Sequence, residues 1–383
     1  MAKYRIAWMP GDGVGNDVME AARIVLDRMN FDAEYVPCDI GWKFWCTEGN
    51  ALPERTVKAL KETTCALFGA ITSKAQDKAK EELSPELKGK GLSYFSPIVG
   101  LRQLFNLHTN IRPCKSYPGN PLNYRGNKIT NPSGDDVPID QVVFRENTEG
   151  MYGGVEFFPL PESVFTALCA NPKMKKFQAK GLENIALSTR IMSVQGCTKI
   201  SKQAFEYAKK TGRKRVTLIE KPNVLRETGG LMTRCFRDVA KNYPGIWADE
   251  VNIDAICMWM FKNPQDYSVL VAENMFGDIV SDLCAGLVGG LGFAPSANLG
   301  DNYAVFEPTH GSAPKYAGQN KVNPIAMLLT AKLMLDWLKE TDMATRLETA
   351  IARVIKEGKV RTYDMGCKDS TLDVAKAVAD CAS

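Results

Sequence analysis

Asp278 and Asp282 stand four residues apart in GDIVSDLCAG, where Ile279, Val280, Leu283 and Ala285 read as the buried side of a helix. Residues at i and i+4 share a helix face, so two ionised carboxylates there repel by roughly 0.2–0.5 kcal/mol. Something positive must stand opposite them, and the segment itself carries no cation.

Four other segments carry side chains able to do chemistry. VVFRENTEGMYGG sets Arg145 at the end of an apolar run and Tyr152 seven residues later. A guanidinium offers a planar fork to a carboxylate and a phenol a proton beside an anion; a structural salt bridge and a packed phenol are the alternative. LIEKPNVLRETGG ends another apolar run with Lys221 and Asn223, where α/β proteins place ligand-binding groups. GLSYFSPIVGLRQLFNLHTNIRP supplies Ser96, Arg102 and Arg112. If helix and then strand separate them, they converge on a polyanion; otherwise they are charges along an amphipathic helix. EPTHGSAPKYAGQNKVNP combines His310, Gly311, Lys315, Tyr316 and Asn323 ahead of a helix from Pro324. Backbone amides at a helix start, an imidazole and a lysine suit a phosphorylated adenosine, with a plain surface loop as the alternative. GDGVG, by contrast, lacks the third glycine of a dinucleotide fingerprint and puts Asp12 where a pyrophosphate would approach.

Positioning these groups falls to an α/β scaffold. Strand-like runs (YRIAWM, CALFGAI, QVVFR, RVTLIE, SVLVAE) alternate with stretches of helical period, which predicts an at least partly parallel sheet. After the first run, Val18, Ala21, Ala22, Val25, Leu26 and Met29 mark one face of a helix capped by Asn16 or Asp17. Residues 74–90 read as a solvated helix and loop, and 112–140 as a domain crossing followed by an exposed loop. The near-continuous apolarity of NPIAMLLTAKLMLDWL predicts a buried helix. With 383 residues the chain has room for two domains.

Bulk properties exclude several partners. Forty-eight basic against 44 acidic residues, a formal +4, is too balanced for nucleic acid or an anionic membrane. No apolar run approaches the roughly 18 residues of a spanning helix and no signal-peptide pattern opens the chain, so a cytoplasmic protein is expected. Eleven cysteines without a C-x-x-C pair, and only two histidines, argue against a zinc site and for reduced, packed thiols.

Taken in order, GDGVGND, RENTEGMYGG, KPN, NMFGDIVSD, GLGFAPSANLGD and EPTHGSAPKYAGQNKVNP resemble the β-decarboxylating dehydrogenases that act on isocitrate, 3-isopropylmalate and homoisocitrate. The resemblance runs over nearly the whole chain. It implies an isocitrate/isopropylmalate dehydrogenase-like α/β fold: a large domain from residues 1–107 and 289–383, a small domain from 108–149 and 195–288, and an intersubunit clasp from 150–194. It implies that Asp278 and Asp282, with Asp254 from a second subunit, hold Mg²⁺ or Mn²⁺, to which hard oxygen ligands are suited. Arg102, Arg112 and Arg145 then clamp the malate part of a 2-hydroxy tricarboxylate, Lys221 is the general base, Tyr152 the acid, and Asn223 lies near nicotinamide and substrate. Because Lys221, Asn223 and Asp254 match residues given across an interface, a homodimer with shared sites is expected. The cofactor residues implied are Thr72, His310, Gly311, Lys315, Tyr316, Val322, Asn323 and Tyr363.

NAD-using members of this family tend to place an aspartate and a small apolar residue where this chain has Lys315 and Tyr316. A cation with the Tyr316 and Tyr363 phenols suits a 2′-phosphate, so NADP is expected, with NAD possible in its place. Ser96 matches the serine that isocitrate enzymes use on the γ-carboxylate, while Ile98 stands where they usually have asparagine. Isocitrate is the expected substrate. NAD-dependent oxidation of homoisocitrate or 3-isopropylmalate, or a non-catalytic regulatory subunit, are the alternatives.

Overall fold

The computed structural model describes residues 2–126 and 131–383. Twelve strands run β1 (Tyr4–Gly11), β2 (Ala33–Pro37), β3 (Cys65–Ala70), β4 (Thr109–Lys115), β5 (Asp140–Glu146), β6 (Glu156–Phe157), β7 (Leu187–Ser188), β8 (Arg215–Glu220), β9 (Trp247–Asn252), β10 (Val269–Ala272), β11 (Pro295–Leu299) and β12 (Ala304–Pro308). Ten form one sheet in the order β2-β1-β3-β12-β11-β4-β5-β10-β8-β9; β6 and β7 pair separately. The two wings are parallel, whereas β12, β11, β4 and β5 meet antiparallel in the middle. All six residues of β3 and all four of β10 are buried, as expected of strands with helices on both faces. The fold class is thus the mixed α/β architecture expected.

Each strand of the middle carries two different faces, because successive side chains point to opposite sides. On β4, Arg112 points one way and Ile111 and Pro113 the other; on β5, Arg145 pairs with Asn110 and Phe144 with Ile111. Helix Asn274–Leu287 lies against the face that carries the arginines. Gly277 permits the approach: a Cβ there would stand 2.7 Å from Arg145 Cγ. Helix Ile325–Trp337 serves the opposite face, burying Met327, Leu328, Ala331 and Met334 completely or nearly so, and each such Leu or Met side chain contributes about 1.5–3 kcal/mol through removal from water.

Several local expectations change. The helix after β1 spans Gly15–Arg28 and follows Val14, with no side-chain cap; Asp17 lies inside its first turn and accepts from the Gly318 amide at 3.1 Å instead. Ile279, read as buried, is exposed, since the helix turns Val280 and Cys284 inward. The solvated segment forms a helix only over Gln76–Glu81. Residues 112–115 belong to β4 rather than to a crossing. Of the loop expected after them, residues 127–130 lie outside the described residues. No helix among the described residues is long and apolar enough to cross a membrane.

Glu348 on helix Thr341–Glu357 ties the sheet to helix Ile325–Trp337, meeting Lys115 Nζ at 2.6 Å and Lys332 Nζ at 2.9 Å. Burial raises its carboxyl, but the two lysines outweigh burial and hold it at about 2. A depressed carboxyl stabilises the fold above its unfolded value and loses that contribution as pH falls toward the folded one. Glu348→Gln is therefore expected to cost about 1–3 kcal/mol in urea unfolding at pH 7. The gap from wild type should narrow from pH 5 to pH 3; a constant gap would remove the ion pairs as its source.

Candidate active site

Two guanidiniums converge on one acidic residue, and a third lies near them. Arg145, at the end of β5, places Nη1 2.5 Å from Asp278 Oδ1; Arg112, on β4, places Nη1 3.0 Å from the same oxygen. The Arg112 Nη1 atom also reaches Asp282 Oδ1 at 3.3 Å and donates to Ser281 Oγ at 2.7 Å. The positive partner that the helix face demanded is thus, within one chain, Arg112. Tyr152 donates its hydroxyl to Asp278 Oδ2 at 2.9 Å. Arg102, on helix Pro97–Leu104, joins from the other side, its Nη2 3.3 Å from Glu307 Oε1. Arg102 and Arg112 are indeed separated by helix and then strand, and all three arginines are buried.

Burial and the mutual repulsion of the cations hold Arg145 below its ordinary value, opposed by Asp278, and it stays protonated. Burial likewise depresses Arg102. Asp278 is raised by burial but lowered more by Arg145 and Arg112, so it stays ionised; burial, joined by the Asp278 charge, leaves Asp282 raised against the pull of Arg112. Burial and then Asp278 raise the Tyr152 phenol, which keeps its proton. The result is three guanidinium forks, each with a carboxylate within 3.3 Å, beside the part-exposed Asp278 and Tyr152, a donor set matched in kind to a di- or tricarboxylate.

Lys221 and Asp254 form a separate pair. Lys221 follows β8 and Asp254 opens helix Ile253–Lys262, with Nζ 2.5 Å from Oδ1. The lysine hydrogen bond is what lowers the Asp254 carboxyl. Neither residue contacts Asp278, Asp282 or the arginines through any hydrogen bond or ion pair among the described residues, and Asn223 is exposed beside Lys221. Asp278 and Asp282 converge closely enough to share Arg112 Nη1, so the pair fits a divalent cation as two hard ligands. No group of three or more His, Cys, Asp or Glu able to hold a metal ion is assembled within the described residues of one chain.

Ser96 precedes helix Pro97–Leu104 without capping it, and its hydroxyl makes no hydrogen bond among the described residues. Ile98, two residues on, packs into the apolar cluster of Met9, Leu60, Phe68 and Leu101 instead of standing beside Ser96 as a pocket residue. The helix period explains the divergence, because two residues along a helix span about 200°.

The segment 310–323 forms a second cationic surface. The Lys315 ammonium lies 4.8 Å from the Tyr316 ring centre, and Lys321 lies 4.9 Å from the Tyr363 ring and 5.6 Å from that of Tyr316. Lys315 is the main cause of a lowered Tyr316 phenol. Neither lysine has a carboxylate partner among the described residues. His310 Nδ1 lies 3.0 Å from the Gly311 carbonyl, while buried Nε2 has no partner; Gly311 itself is exposed. Thr72 Oγ1 is 2.6 Å from Ser312 Oγ. Val322 and Asn323 face inward: the Val322 carbonyl accepts from Thr371, and Asn323 bonds Asp364 at 3.0 Å. Asp12 does not face a phosphate site. Its carboxylate accepts from the Trp42 and Thr72 amides at 2.7 and 2.9 Å, and Val14 N bonds Ser312 O at 2.9 Å. The GDGVG turn is a clamp on neighbouring loops.

Sequence reasoning missed Lys321, Glu307, Asn274 and above all Asn298. Asn298 Oδ1 accepts from Arg102 Nε, Asn110 Nδ2 and Asn147 Nδ2 at 3.1, 3.0 and 2.9 Å, and its Nδ2 donates to Glu307 at 2.8 Å. The signal was present as a lone amide between Ala297 and Leu299 in GLGFAPSANLGD. Asn298→Leu leaves several buried donors without an acceptor and is expected to cost about 2–4 kcal/mol in denaturant unfolding. A loss below about 0.5 kcal/mol would mean that the network is not cooperative.

Comparison with known proteins agrees with this geometry. The chain matches the family described as isocitrate/isopropylmalate dehydrogenase over residues 5–378. It is 41% identical over 98% of its length to protein DlpA of Legionella pneumophila, spanning 58% of that longer protein. It is 38% identical over 99% of its length, and 98% of the relative's, to the 3-isopropylmalate dehydrogenase of Methanothermobacter thermautotrophicus. Isocitrate dehydrogenase from Methylococcus capsulatus superposes with a TM-score of 0.83 at 32% identity, covering 99% of both chains. Members of the family oxidise small hydroxy acids with NAD(P) and a divalent metal. Matched from end to end in sequence and fold, this chain belongs to the isocitrate/isopropylmalate dehydrogenase family of decarboxylating oxidoreductases.

Proposed function

We propose that this protein oxidatively decarboxylates isocitrate to 2-oxoglutarate and CO₂ with reduction of NADP. The observation that carries the reading is the cluster formed by Arg112, Arg145, Asp278 and Tyr152 with Arg102 beside it. The arginines bind the carboxylates of the malate portion and fix its orientation. Lys221 takes the hydroxyl proton as the carbon-bound hydride passes to the nicotinamide, which Asn223 adjoins. The β-carboxylate then leaves as CO₂, its bonding electrons passing toward the new carbonyl, and Tyr152 supplies the proton that carbon regains. A divalent cation held by Asp278 and Asp282, with Asp254 of a second copy, supplies Lewis acidity toward the hydroxyl and carbonyl oxygen when bound.

The free hydroxyl of Ser96, with Ile98 turned into the core, supports a third substrate carboxylate. Lys315 and Lys321 flanking Tyr316 and Tyr363 support a 2′-phosphate, with Thr72, His310, Gly311, Val322 and Asn323 shaping the rest of the nucleotide site. One observation favours a second reading: Phe95, beside Ser96, is 55% exposed and could border an apolar substituent, as 3-isopropylmalate carries. Initial rates with isocitrate, homoisocitrate and 3-isopropylmalate, each with NADP and NAD and Mg²⁺, decide between them. Isocitrate with NADP is expected to give the highest kcat/KM, and Lys315→Asp with Lys321→Ala should cut NADP use by about tenfold or more while sparing NAD. A higher kcat/KM for 3-isopropylmalate would assign the pocket to Phe95.

The reading requires a homodimer. Ile279 on the helix of Asp278 and Phe261 on the helix of Asp254 are 50% and 55% exposed, where water would otherwise meet apolar surface. Burying them between copies brings the two separated groups of catalytic residues together. Ile279→Glu with Phe261→Glu should convert a dimer in sedimentation equilibrium into a monomer and reduce turnover by roughly 100-fold or more. Wild-type protein fully active as a monomer would overturn the shared-site arrangement.

A further inference from the structure

The sheet's reverse side holds a cavity of about 760 Å³, directly behind the strands that carry the arginines. Its floor is the alternate set of side chains: Ile111 beside Arg112, Phe144 beside Arg145, Ala297 beside Asn298 and Phe306 beside Glu307. Leu333 and Trp337 of helix Ile325–Trp337 wall one side, and helix Val194–Thr211 the other. This volume falls within the range of small-molecule sites, and its apolar floor is ringed by charged and polar side chains.

The rim charges choose the ligand. Three of its carboxylates are paired with cations, Glu348 with Lys115 and Lys332, Asp140 with Arg213 at 2.6 Å and Asp336 with Lys332 at 3.0 Å, while Glu206 accepts from the Tyr243 hydroxyl at 2.5 Å, leaving five cations to four carboxylates around the cavity. Lys210 and Lys339 also line the cavity, and neither has a carboxylate partner among the described residues. Two uncommitted ammonium groups over an apolar floor are complementary to one chemistry. We propose that this cavity is a second ligand site, for an amphipathic carboxylate with an aromatic or branched aliphatic body. Its apolar part lies on Phe144, Phe306 and Trp337, and its carboxylate on Lys210 and Lys339. A molecule held there touches the backs of the strands whose fronts carry Arg112 and Arg145. The assignment concerns binding alone and stands independently of the reaction proposed above.

Titration calorimetry of the full-length protein with 4-phenylbutyrate tests it without turnover. The expected result is one site per chain with Kd below about 1 mM, a reasonable affinity for a ligand of this size. Binding should survive excess malate with Mg²⁺, which excludes the three-arginine cleft as its location. It should weaken by about tenfold or more in Lys210→Glu with Lys339→Glu, two exposed positions whose change is checked for folding by circular dichroism. Leu333→Gln should also weaken it, whereas Lys202→Glu, a reversal on the helix of Lys210 but outside the cavity lining, should not. No saturable binding, displacement by malate, or equal affinity in the double charge reversal would each overturn the assignment.

Discussion

Three buried guanidiniums at the centre of one sheet set the conditions that the rest of this molecule satisfies. Taking a charge out of water is costly unless it is paired and hydrogen-bonded, and Arg102, Arg112 and Arg145 also repel one another. Their neutralisation accounts for otherwise unrelated features. Asp278 is presented from a helix that can approach only because Gly277 has no side chain. Asn274 at the start of that helix accepts from Arg145 at 3.0 and 2.7 Å, and Glu307 and Asn298 serve Arg102. Within the chain the three cations are matched by three carboxylates, Asp278, Asp282 and Glu307, at 2.5 to 3.3 Å. A divalent cation on Asp278 and Asp282 would release the guanidiniums toward a substrate that brings carboxylates of its own.

Topology makes this concentration possible. Parallel wings supply rigid, fully buried strands such as β3 and β10, while antiparallel β4, β5, β11 and β12 join them in the middle. Alternation along these four strands separates two chemistries by the thickness of one backbone: arginine and amide on one side, Ile111, Phe144 and Phe306 on the other. The same alternation that assembles the candidate active site therefore creates the apolar cavity behind it. Lys221, after β8, is separated from β5 by β10, and Asp254, after β9, by β10 and β8.

Much of this scaffold was legible in advance. The five apolar runs read as strands all lie on strands, and the buried helix near the C-terminus is found as expected, because near-continuous hydrophobicity requires cover on every side. The ordered motifs named the family, whereas the separation of Arg102 from Arg112 by helix and strand stood as one of two readings until the structure decided it. Strands β2, β4, β6, β7, β9, β11 and β12 were not among those runs: AEYVP and WADEVN are half-polar edge segments, PSANL carries an asparagine, and β6 and β7 are two residues each. Their pairing is decided by neighbours distant in the chain.

What the sequence by itself determined is therefore the kinds of groups available, the elements that carry them and the family to which they belong, all encoded in contiguous residues. Only the tertiary structure decided that Ile98 packs inward while Ser96 stays free, that Ile279 is exposed, and that Asp12 clamps loops. It also decided that Asn298 joins Arg102, Asn110, Asn147 and Glu307, and that Lys321 stands beside Lys315. The physical reason is common to all of them. Orientation depends on what an element packs against, and a polar side chain buried at a junction is determined by partners a hundred or more residues away. Local pattern contains neither.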